Sequence, residues 1–462
     1  MPSILGANEI KATGYDVANS VRFDDGDNAR ISKTFSSAGN SDTWTMSVWV
    51  KRSTLGANSS IFTCNGLGAG AQKGTLRFDS SDKISAYVLY AGSAWHYITS
   101  EAVYRDVSAW YHVVVRCDTT QGTDTDRLRL YVNGTLQTLS ASTYPDQNED
   151  TFFNEAEEHQ VASLIDETED FDGYMAEFCW IDGSSLAPTS FGEFDSDSPN
   201  IWKPIDVSGL TFGTNGVYLD FEDSSDLGTD ASGNSDWTAT NLAATDQCTD
   251  TCTNNFATLN PLVNFNSGVF SEGNCAITYG DDTISTIGVT KGRWYWEAQR
   301  TNTATEAHFG IGLSKGFYSA TSIVSDGDRL YTRSGATYFS AVSNLSILTF
   351  GSNSGTSAAV GNGDVISFYL DLESSTKNIT IKKNDGATPI VNVDLTYSGA
   401  EPIFAFCRMN SGCSSSWNFG NPIAALSSAN SDPNGYGSFE YSTTLNSVDY
   451  YALCTKNLAE YG

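Results

Sequence analysis

The strongest constraint on the fold of this chain is a period-two alternation of apolar residues between Lys291 and Ser314. The first run places Trp294, Trp296 and Ala298 on one face, with charged or polar residues between them. The second run places Phe309, Ile311 and Leu313 on one face, with glycines between them. Such alternation is typical of strands that bury one face. The polar stretch between the runs contains no helix signal, so the segment predicts a β-hairpin.

The same alternation recurs along both halves of the chain. It is found at Met46, Val48 and Val50, at Val113, Val115 and Cys117, at Leu128, Leu130 and Val132, and at Ile366, Phe368, Leu370 and Leu372. Asn133-Gly134 and Asn384-Asp385-Gly386 are strong hairpin turn signals. No long run has a 3.6-residue apolar period. The sequence therefore predicts an all-β fold with two antiparallel β-sandwich (jelly-roll) domains.

A chain of 462 residues is too long for one ordinary core. The strand patterns place one sandwich at residues 1–195 and a second at 263–420, followed by a C-terminal tail at 421–462. Residues 196–262 are irregular in pattern but include Trp202, Tyr218 and Trp237. A free linker would not carry such aromatic residues. This connector is therefore predicted to be ordered and to pack between the domains, with strands that complete one of them.

The net charge of −30, from 25 basic and 55 acidic residues, disfavours binding to phosphate backbones. No stretch is apolar enough to insert into a membrane. The first residues lack the pattern of a secretion signal. We therefore expect no nucleic-acid partner and no membrane insertion, and we expect the protein to be made in the cytoplasm.

Nine cysteines do not form the pattern of a dense disulfide framework. Cys64, Cys117 and Cys179 lie in apolar strand-like runs and are predicted to be buried. Two pairs lie close enough in sequence to form a disulfide if the protein is oxidised, Cys248 with Cys252 and Cys407 with Cys413. The second pair flanks a predicted hairpin turn. A zinc site is disfavoured because no further ligand pair lies nearby at the required spacing.

Four segments of the first half, SVWVKRS, WYHVVVR, LRLYVNG and FDGYMAEFCWIDGSSL, resemble a laminin-G or concanavalin A-like domain over about residues 15–195. The segments GRWYWE, FGIGLS, GDVISFYLDL, ITIKKNDG, PIFAF and WNFG are similar to a SPRY domain over about residues 263–420. Both resemblances imply β-sandwiches. The SPRY resemblance also implies partner binding through loops and no catalytic activity.

The order of these domains, the connector and the aromatic tail together resemble structural proteins of tailed bacteriophages. This resemblance covers nearly the whole chain. It implies a virion component, such as a fibre, appendage or capsid decoration protein, whose partners are other virion proteins and host cell-surface glycans. An oligomer is expected in the particle, although no coiled coil or collagen-like repeat is present to form one.

Two acidic clusters are candidate calcium sites, because calcium binds hard oxygen ligands. The first is Asp24, Asp25 and Asp27, and the second includes Asp170 and Asp172. The laminin-G resemblance implies a calcium ion at a rim of the sandwich. Neither spacing matches a known calcium loop, so solvated surface charge is the simpler interpretation.

Aromatic side chains that stack on sugar rings are candidate ligand-binding residues. Trp95, His96 and Tyr97 follow a small-residue loop in the first half. Tyr318, Tyr331 and Tyr338 lie in the loops of the second half. The alternative is that each residue is half-buried core or part of a subunit contact.

Signals of catalysis are weak. Asp170 and Asp172 have the i, i+2 spacing of paired carboxylates on a strand, but they do not match the E-x-D-x-x-E pattern of retaining jelly-roll glucanases, and an acidic turn is the simpler interpretation. His112 lies in a strand, and no G-x-S-x-G motif is present. The sequence favours a non-enzymatic virion protein with lectin-like surfaces. The alternatives are a purely structural subunit without a ligand and, less favoured, a polysaccharide depolymerase.

Overall fold

A computed structural model describes residues 14–65, 73–91, 94–263, 268–302, 307–313, 329–333, 339–342, 348–356 and 358–462. The described residues divide into two compact units, 14–253 and 254–462. Both are built almost entirely of antiparallel strands, which confirms the predicted all-β class.

The first unit contains eighteen strands and four short 3₁₀ helices among its described residues. The strands are β1 (Ser20–Phe23), β2 (Arg30–Thr34), β3 (Thr43–Arg52), β4 (Ser59–Asn65), β5 (Lys73–Phe78), β6 (Ile84–Ala91), β7 (Ala94–Ser100), β8 (Trp110–Asp118), β9 (Leu128–Val132), β10 (Thr135–Leu136), β11 (Leu139–Thr143), β12 (Glu158–Val161), β13 (Gly173–Asp182), β14 (Gly192–Phe194), β15 (Trp202–Pro204), β16 (Val217–Leu219), β17 (Thr238–Thr240) and β18 (Gln247–Cys248). The 3₁₀ helices are Asp25–Asp27, Asp124–Asp126, Pro188–Ser190 and Ala244–Asp246.

Two eight-stranded sheets form the sandwich of this unit. The back sheet has the order β10-β9-β8-β3-β13-β1-β18, with β16 also paired to β13, and the front sheet has the order β11-β7-β6-β5-β4-β12-β2-β17. The predicted inward residues of β3, β8 and β9 all belong to one buried core. Asn133 and Gly134 have positive φ values of 48° and 73°, so the predicted turn between β9 and β10 is confirmed.

The segment predicted as a connector completes both sheets of this unit. From residues 196–253, β16 and β18 join the back sheet and β17 joins the front sheet. The same segment covers the outer face of the back sheet with a second apolar layer that includes Val207, Phe212 and Tyr218. The outer face of the back sheet is therefore buried, and strands from this segment complete the first unit.

Trp202 is a closely fitted side chain of this covering layer. A Cβ atom added at Gly134 would lie 2.3 Å from the Trp202 ring, and one added at Gly192 would lie 2.6 Å from it. These distances are too short for any side chain larger than hydrogen. Two glycines thus form a slot that admits the indole ring.

Glu177 lies at an irregular point of β13, an interior strand of the back sheet. The register with β3 shifts between Ala176 and Cys179, and Glu177 has a positive φ of 52°. This β-bulge turns a charged side chain toward the covering layer, where it is only 5 % exposed. Its carboxylate accepts hydrogen bonds from the hydroxyls of Tyr218 at 2.8 Å and Tyr15 at 3.3 Å.

The second unit contains sixteen strands and one α-helix among its described residues. The strands are β19 (Val269–Ser271), β20 (Ala276–Val289), β21 (Arg293–Arg300), β22 (Ala307–Leu313), β23 (Arg329–Arg333), β24 (Phe339–Val342), β25 (Leu348–Phe350), β26 (Val365–Asp371), β27 (Lys377–Lys383), β28 (Val391–Tyr397), β29 (Ile403–Asn418), β30 (Asn430–Ser431), β31 (Ser438–Phe439), β32 (Thr444–Leu445), β33 (Val448–Asp449) and β34 (Tyr451–Ala452). The helix is α1 (Thr455–Tyr461).

One twelve-stranded sheet forms the body of this unit, with the path β24-β23-β22-β29-β21-β26-β27-β28-β25. The long strands β20 and β29 pair with each other across shifts in register. The first part of β29 pairs with β22 and its last part pairs with β21. The predicted apolar faces of β21, β22 and β26 meet in one buried core.

The predicted pairing of β21 with β22 as a hairpin is wrong. Both segments are strands, but β29 lies between them and pairs with each. Alternation fixes which face of a strand is buried, but it does not fix the neighbouring strand. The order of strands depends on a segment more than 90 residues further along the chain.

The C-terminal tail covers the outer face of this sheet. Phe439, Tyr450 and Ala452 pack against Tyr295 and Tyr369 of the sheet. Glu297 on β21 is 3 % exposed and holds this layer in place. Its carboxylate accepts the backbone N–H groups of Glu440 at 2.9 Å and Tyr441 at 2.8 Å, and the hydroxyl of Tyr295 at 2.7 Å.

Within the described ranges, no helix has the length and apolar character needed to cross a membrane.

Candidate functional site

The outer face of the front sheet is polar, unlike its core face. Across six strands, the core positions are Ile31, Val161, Phe62, Leu76, Ala86 and Ile98. The next residues in register are Ser32, Gln160, Thr63, Thr75, Tyr87 and Tyr97. Because side chains alternate between faces, this second row lies on the face away from the core, where Gln160, Thr63 and Thr75 are buried and the other three are partly exposed. It ends in a pair of tyrosines.

Tyr87 and Tyr97 form a stacked aromatic pair on β6 and β7. Their ring centroids are 5.0 Å apart with an interplanar angle of 11°, and both side chains are partly exposed. The guanidinium carbon of Arg77 lies 5.1 Å from the centroid of the Tyr87 ring. We name these two tyrosines the tyrosine platform.

Polar side chains border the tyrosine platform. Nη1 of Arg77 donates to both carboxylate oxygens of Glu169, at 2.6 and 2.9 Å. Asn58 donates its side-chain amide to the same carboxylate at 2.8 Å. The hydroxyls of Ser85 and Thr99 lie 3.0 Å apart on the adjoining positions of β6 and β7. A stacked pair of partly exposed tyrosines therefore lies beside fixed hydrogen-bonding groups.

The structure places the three predicted residues Trp95, His96 and Tyr97 in strand β7 but separates their surroundings. Only Tyr97 belongs to the tyrosine platform. Trp95 borders it edge-on, with its ring centroid 5.6 Å from that of Tyr87, and also packs against Phe152. His96 Nδ1 hydrogen-bonds the carbonyl of Tyr144 at 2.9 Å.

Sequence reasoning missed Tyr87. The pairs Leu89–His96 and Tyr90–Trp95 match the simple register of this hairpin, but a bulge then brings Tyr87 opposite Tyr97. Without the bulge, Val88 would face Tyr97. A local irregularity of one residue therefore creates the platform, and no sequence signal marks it.

The predicted aromatic residues of the second unit form no comparable surface among the described residues. Tyr331 stacks on His308 with centroids 4.4 Å apart, and it packs against the buried Phe404 and Phe406. Tyr318 and Tyr338 lie outside the described residues. Tyr331 thus packs against neighbouring side chains in the structure.

The two predicted acidic clusters adjoin each other. Asp25 and Asp27 lie in a 3₁₀ helix that Asp24 caps by accepting the Gly26 N–H at 2.8 Å. Burial, and then the charges of Asp24 and Asp170, raise the pKa of Asp25. Asp172 accepts the Thr54 hydroxyl at 2.5 Å. Within the part of the chain that the structure describes, no three His, Cys, Asp or Glu side chains converge as metal ligands.

A serine–histidine pair is present but is oriented against nucleophilic catalysis. Ser47 Oγ lies 2.8 Å from His112 Nε2, and the indole N–H of Trp202 donates to His112 Nδ1 at 2.9 Å. Because an indole nitrogen only donates, Nδ1 must be the acceptor, and Nε2 carries the proton. A general base needs the opposite tautomer. Burial also lowers the pKa of His112 to about 3, so the ring is neutral and structural.

Neither predicted cysteine bridge is formed, because all nine cysteines are free thiols. Cys407 and Cys413 lie along one continuous strand, β29, where a hairpin turn was predicted. That turn is therefore wrong. Cys248 lies beside the buried Arg22, with Nη1 of Arg22 3.8 Å from its sulfur. Cys64, Cys117 and Cys179 are buried as predicted.

Residues 23–185 match the laminin G model described as the concanavalin A-like lectin/glucanases superfamily. This match confirms the predicted laminin-G or concanavalin A-like domain in the first unit. No curated protein sequence matches the chain.

Several solved structures are similar to parts of the chain. Domains LG4-5 of the mouse laminin α1 chain are 10% identical, cover 87% of this chain and 88% of their own, and have a TM-score of 0.30. The SPRY domain of human HERC1 is 14% identical over 34% of this chain and 96% of its own, with a TM-score of 0.26. The CBM40 domain of a Ruminococcus gnavus sialidase, bound to α2,3-sialyllactose, is 14% identical over 29% of this chain and 75% of its own, with a TM-score of 0.24.

Proposed function

We propose that this chain is a non-enzymatic carbohydrate-binding protein whose tyrosine platform stacks on a sugar ring. The observation that carries the proposal is the stacked pair of Tyr87 and Tyr97, partly exposed beside the Arg77–Glu169 ion pair. Aromatic faces remove the apolar side of a pyranose from water, and the bordering polar groups orient its hydroxyls. The laminin G match over residues 23–185 supports a lectin-like role.

The charges at the tyrosine platform favour a neutral sugar. The guanidinium of Arg77 is compensated by Glu169, so it offers no free positive charge to a sugar carboxylate. The net charge of −30 also repels acidic glycans. We therefore expect neutral hexose ligands.

A glycan array with the full-length protein tests this proposal. The double variant Tyr87→Ala/Tyr97→Ala removes the stacking surface, and we expect it to weaken binding at least tenfold. The matched control Tyr87→Phe/Tyr97→Phe keeps two flat rings and should stay within about threefold of the parent, since stacking needs only the ring faces. Equal binding by all three proteins would exclude the platform as the site.

Running the array with Ca²⁺ and again with EDTA tests the calcium prediction. Loss of binding in EDTA would support a calcium ion at the adjoining clusters of Asp24, Asp25 and Asp170. Unchanged binding would exclude a calcium-dependent site.

We also propose that the protein is a component of a tailed-phage virion, as a fibre, appendage or decoration subunit assembled in the host cytoplasm. The resemblance in domain order along the chain supports this role. Immunogold labelling of purified particles tests it, and unlabelled particles would argue against it. Labelled particles with a silent glycan array would favour the purely structural alternative.

A depolymerase activity is tested separately. Release of reducing ends from capsule or lipopolysaccharide, abolished by Asp172→Asn, would overturn the non-enzymatic proposal.

A further inference from the structure

An open cleft in the second unit lies between the sheet and the C-terminal tail. Its volume is ≈ 350 Å³, at the lower end of the range of about 300–1,000 Å³ for small-molecule sites. Val365 and Trp417 of the sheet line one side, and Ile423 and Leu426 of the tail line the other. Glu440 and Tyr441 close one end. Gln299, Ser416 and Asn418 also line the cleft, so its walls are partly apolar and partly polar, and one end is acidic.

The acidic end holds two carboxylates without a basic partner. The ion pairs of this unit, among its described residues, are Arg293–Asp371, Lys382–Asp385, Lys383–Asp364 and Arg408–Asp282, and none includes Glu297 or Glu440. Glu440 accepts the backbone N–H of Ser427 at 2.9 Å and also its hydroxyl. Neutral donors orient the Glu440 carboxylate but do not compensate its charge.

The pKa of Tyr441 reflects the negative electrostatic potential at this end of the cleft. Burial raises the pKa of its hydroxyl, and the charges of Glu440 and Glu297 raise it further. Asp385 and Asp364 act in the same direction. A cationic group placed here would meet favourable electrostatic interactions from several carboxylates.

We propose that this cleft binds a small organic cation with an apolar stem, of the alkylguanidine or alkylamine class. The cationic head lies at Glu440, and the stem lies between Val365, Ile423 and Leu426. A divalent metal ion fits less well, because no three metal-ligating side chains converge among the described residues.

Two probes of the same shape and different charge test the proposal. Isothermal titration of the full chain with butylguanidinium should show saturable binding with one site per chain. Butylurea, which is neutral and nearly isosteric, should bind at least tenfold more weakly. Equal heats from both probes, or none from either, would overturn the proposal.

Two variants then test the location. Ala425 is exposed and lines the cleft, so Ala425→Phe should fill the cleft and abolish butylguanidinium binding without disturbing the core. Glu440→Gln removes the charge and should weaken binding at least tenfold. Glu373→Gln removes an exposed carboxylate elsewhere in the unit and is the matched control, with binding unchanged.

The proposal would be overturned if Ala425→Phe binds like the parent, or if Glu373→Gln weakens binding as much as Glu440→Gln. If Glu440→Gln destabilises the tail by losing its contact with Ser427, the probe pair and Ala425→Phe still decide the outcome.

Discussion

The two units cover the outer face of a sheet in a similar way but use different hydrogen-bond donors. In each unit, an irregular segment covers the outer face of a sheet, and one buried glutamate accepts hydrogen bonds from that segment. Glu177 in the first unit receives only tyrosine hydroxyls, whereas Glu297 in the second receives two backbone N–H groups as well as a tyrosine hydroxyl. Burial raises the pKa of both carboxylates, and the hydrogen-bond donors that oppose this shift differ between the units.

Burial raises the pKa of Glu177 from 4.5 to about 7, and hydrogen bonds from Tyr218 and Tyr15 only partly oppose this shift. The nearby charges of Asp220 and Glu222 add to it. Burial also raises the pKa of Glu297, but backbone N–H groups from the tail and the Tyr295 hydroxyl oppose the shift. Fixed backbone amides stabilise a carboxylate, whereas hydroxyl groups can serve its neutral form equally well.

The largest expected difference between the units is in acid. Burial lowers the pKa values of His112 and His159 in the first unit to about 3. The pKa of an unfolded histidine is about 6.5. Below that pH the unfolded state gains protons that the buried neutral rings cannot accept, so the free energy of unfolding falls as the pH falls from 6.5 toward 3. Each histidine accounts for up to about 5 kcal/mol. Hydrogen exchange mass spectrometry, corrected for intrinsic rates, should show β3 and β8 losing protection before β21 and β26. Simultaneous loss would contradict the comparison.

The next largest effect is expected from removing the acceptor in the second unit. Glu297→Leu leaves the N–H groups of Glu440 and Tyr441 buried without an acceptor, which costs about 4 kcal/mol. Urea denaturation should give this loss in the free energy of unfolding, and limited proteolysis should cut the tail first. Glu297→Gln keeps one acceptor oxygen and should lose about half as much. Equal losses would show that side-chain shape, rather than the carboxylate, holds the tail.

In the first unit, the corresponding change is expected to stabilise. Because the folded pKa of Glu177 is raised, its favourable contribution is complete below pH 4.5 and is lost as the pH rises through about 7. Glu177→Gln should therefore be more stable than the parent by about 3 kcal/mol at pH 8 and equal to it at pH 4. Urea denaturation of both proteins at both pH values tests this. Both proteins contain His112 and His159. The difference between their free energies of unfolding therefore removes the opposing pH dependence of these histidines.

The smallest effects should separate the two tyrosines that hold Glu177. The Tyr218 hydroxyl is buried and lies 2.8 Å from the carboxylate, whereas the Tyr15 hydroxyl lies at 3.3 Å in a partly exposed side chain. Tyr218→Phe should cost about 1.5 kcal/mol and Tyr15→Phe about 0.5 kcal/mol at pH 7. Thermal denaturation of each variant measures the difference. A larger loss for Tyr15→Phe than for Tyr218→Phe would show that the main hydrogen bond to Glu177 comes from the N-terminal segment.

Much of the fold could be predicted from the sequence because alternation reports burial directly. The inward residues of β3, β9, β21 and β26 all lie in the predicted cores, and the turn at Asn133-Gly134 forms as its residues require. Strand order could not be predicted, since the partner of β21 depends on a distant strand.

The candidate site was predicted only in part, because two bulges determine it. Tyr97 was identified from its sequence context, but its partner Tyr87 depends on the bulge in β6 and β7. Glu177 likewise turns to the outer face through its positive φ. A regular period-two pattern assigns such residues to the wrong position. The hairpin turn predicted between Cys407 and Cys413 was wrong for the same reason, because that segment is an irregular stretch within β29.

The slot around Trp202 has a consequence for protein engineering. The laminin G match ends at residue 185, yet the indole that fits between Gly134 and Gly192 and donates to His112 comes from residue 202. A fragment cut at the family boundary would leave an open groove over a neutral histidine and would lose three strands that complete its sheets. A fragment designed for domain exchange or fusion should therefore extend to residue 253.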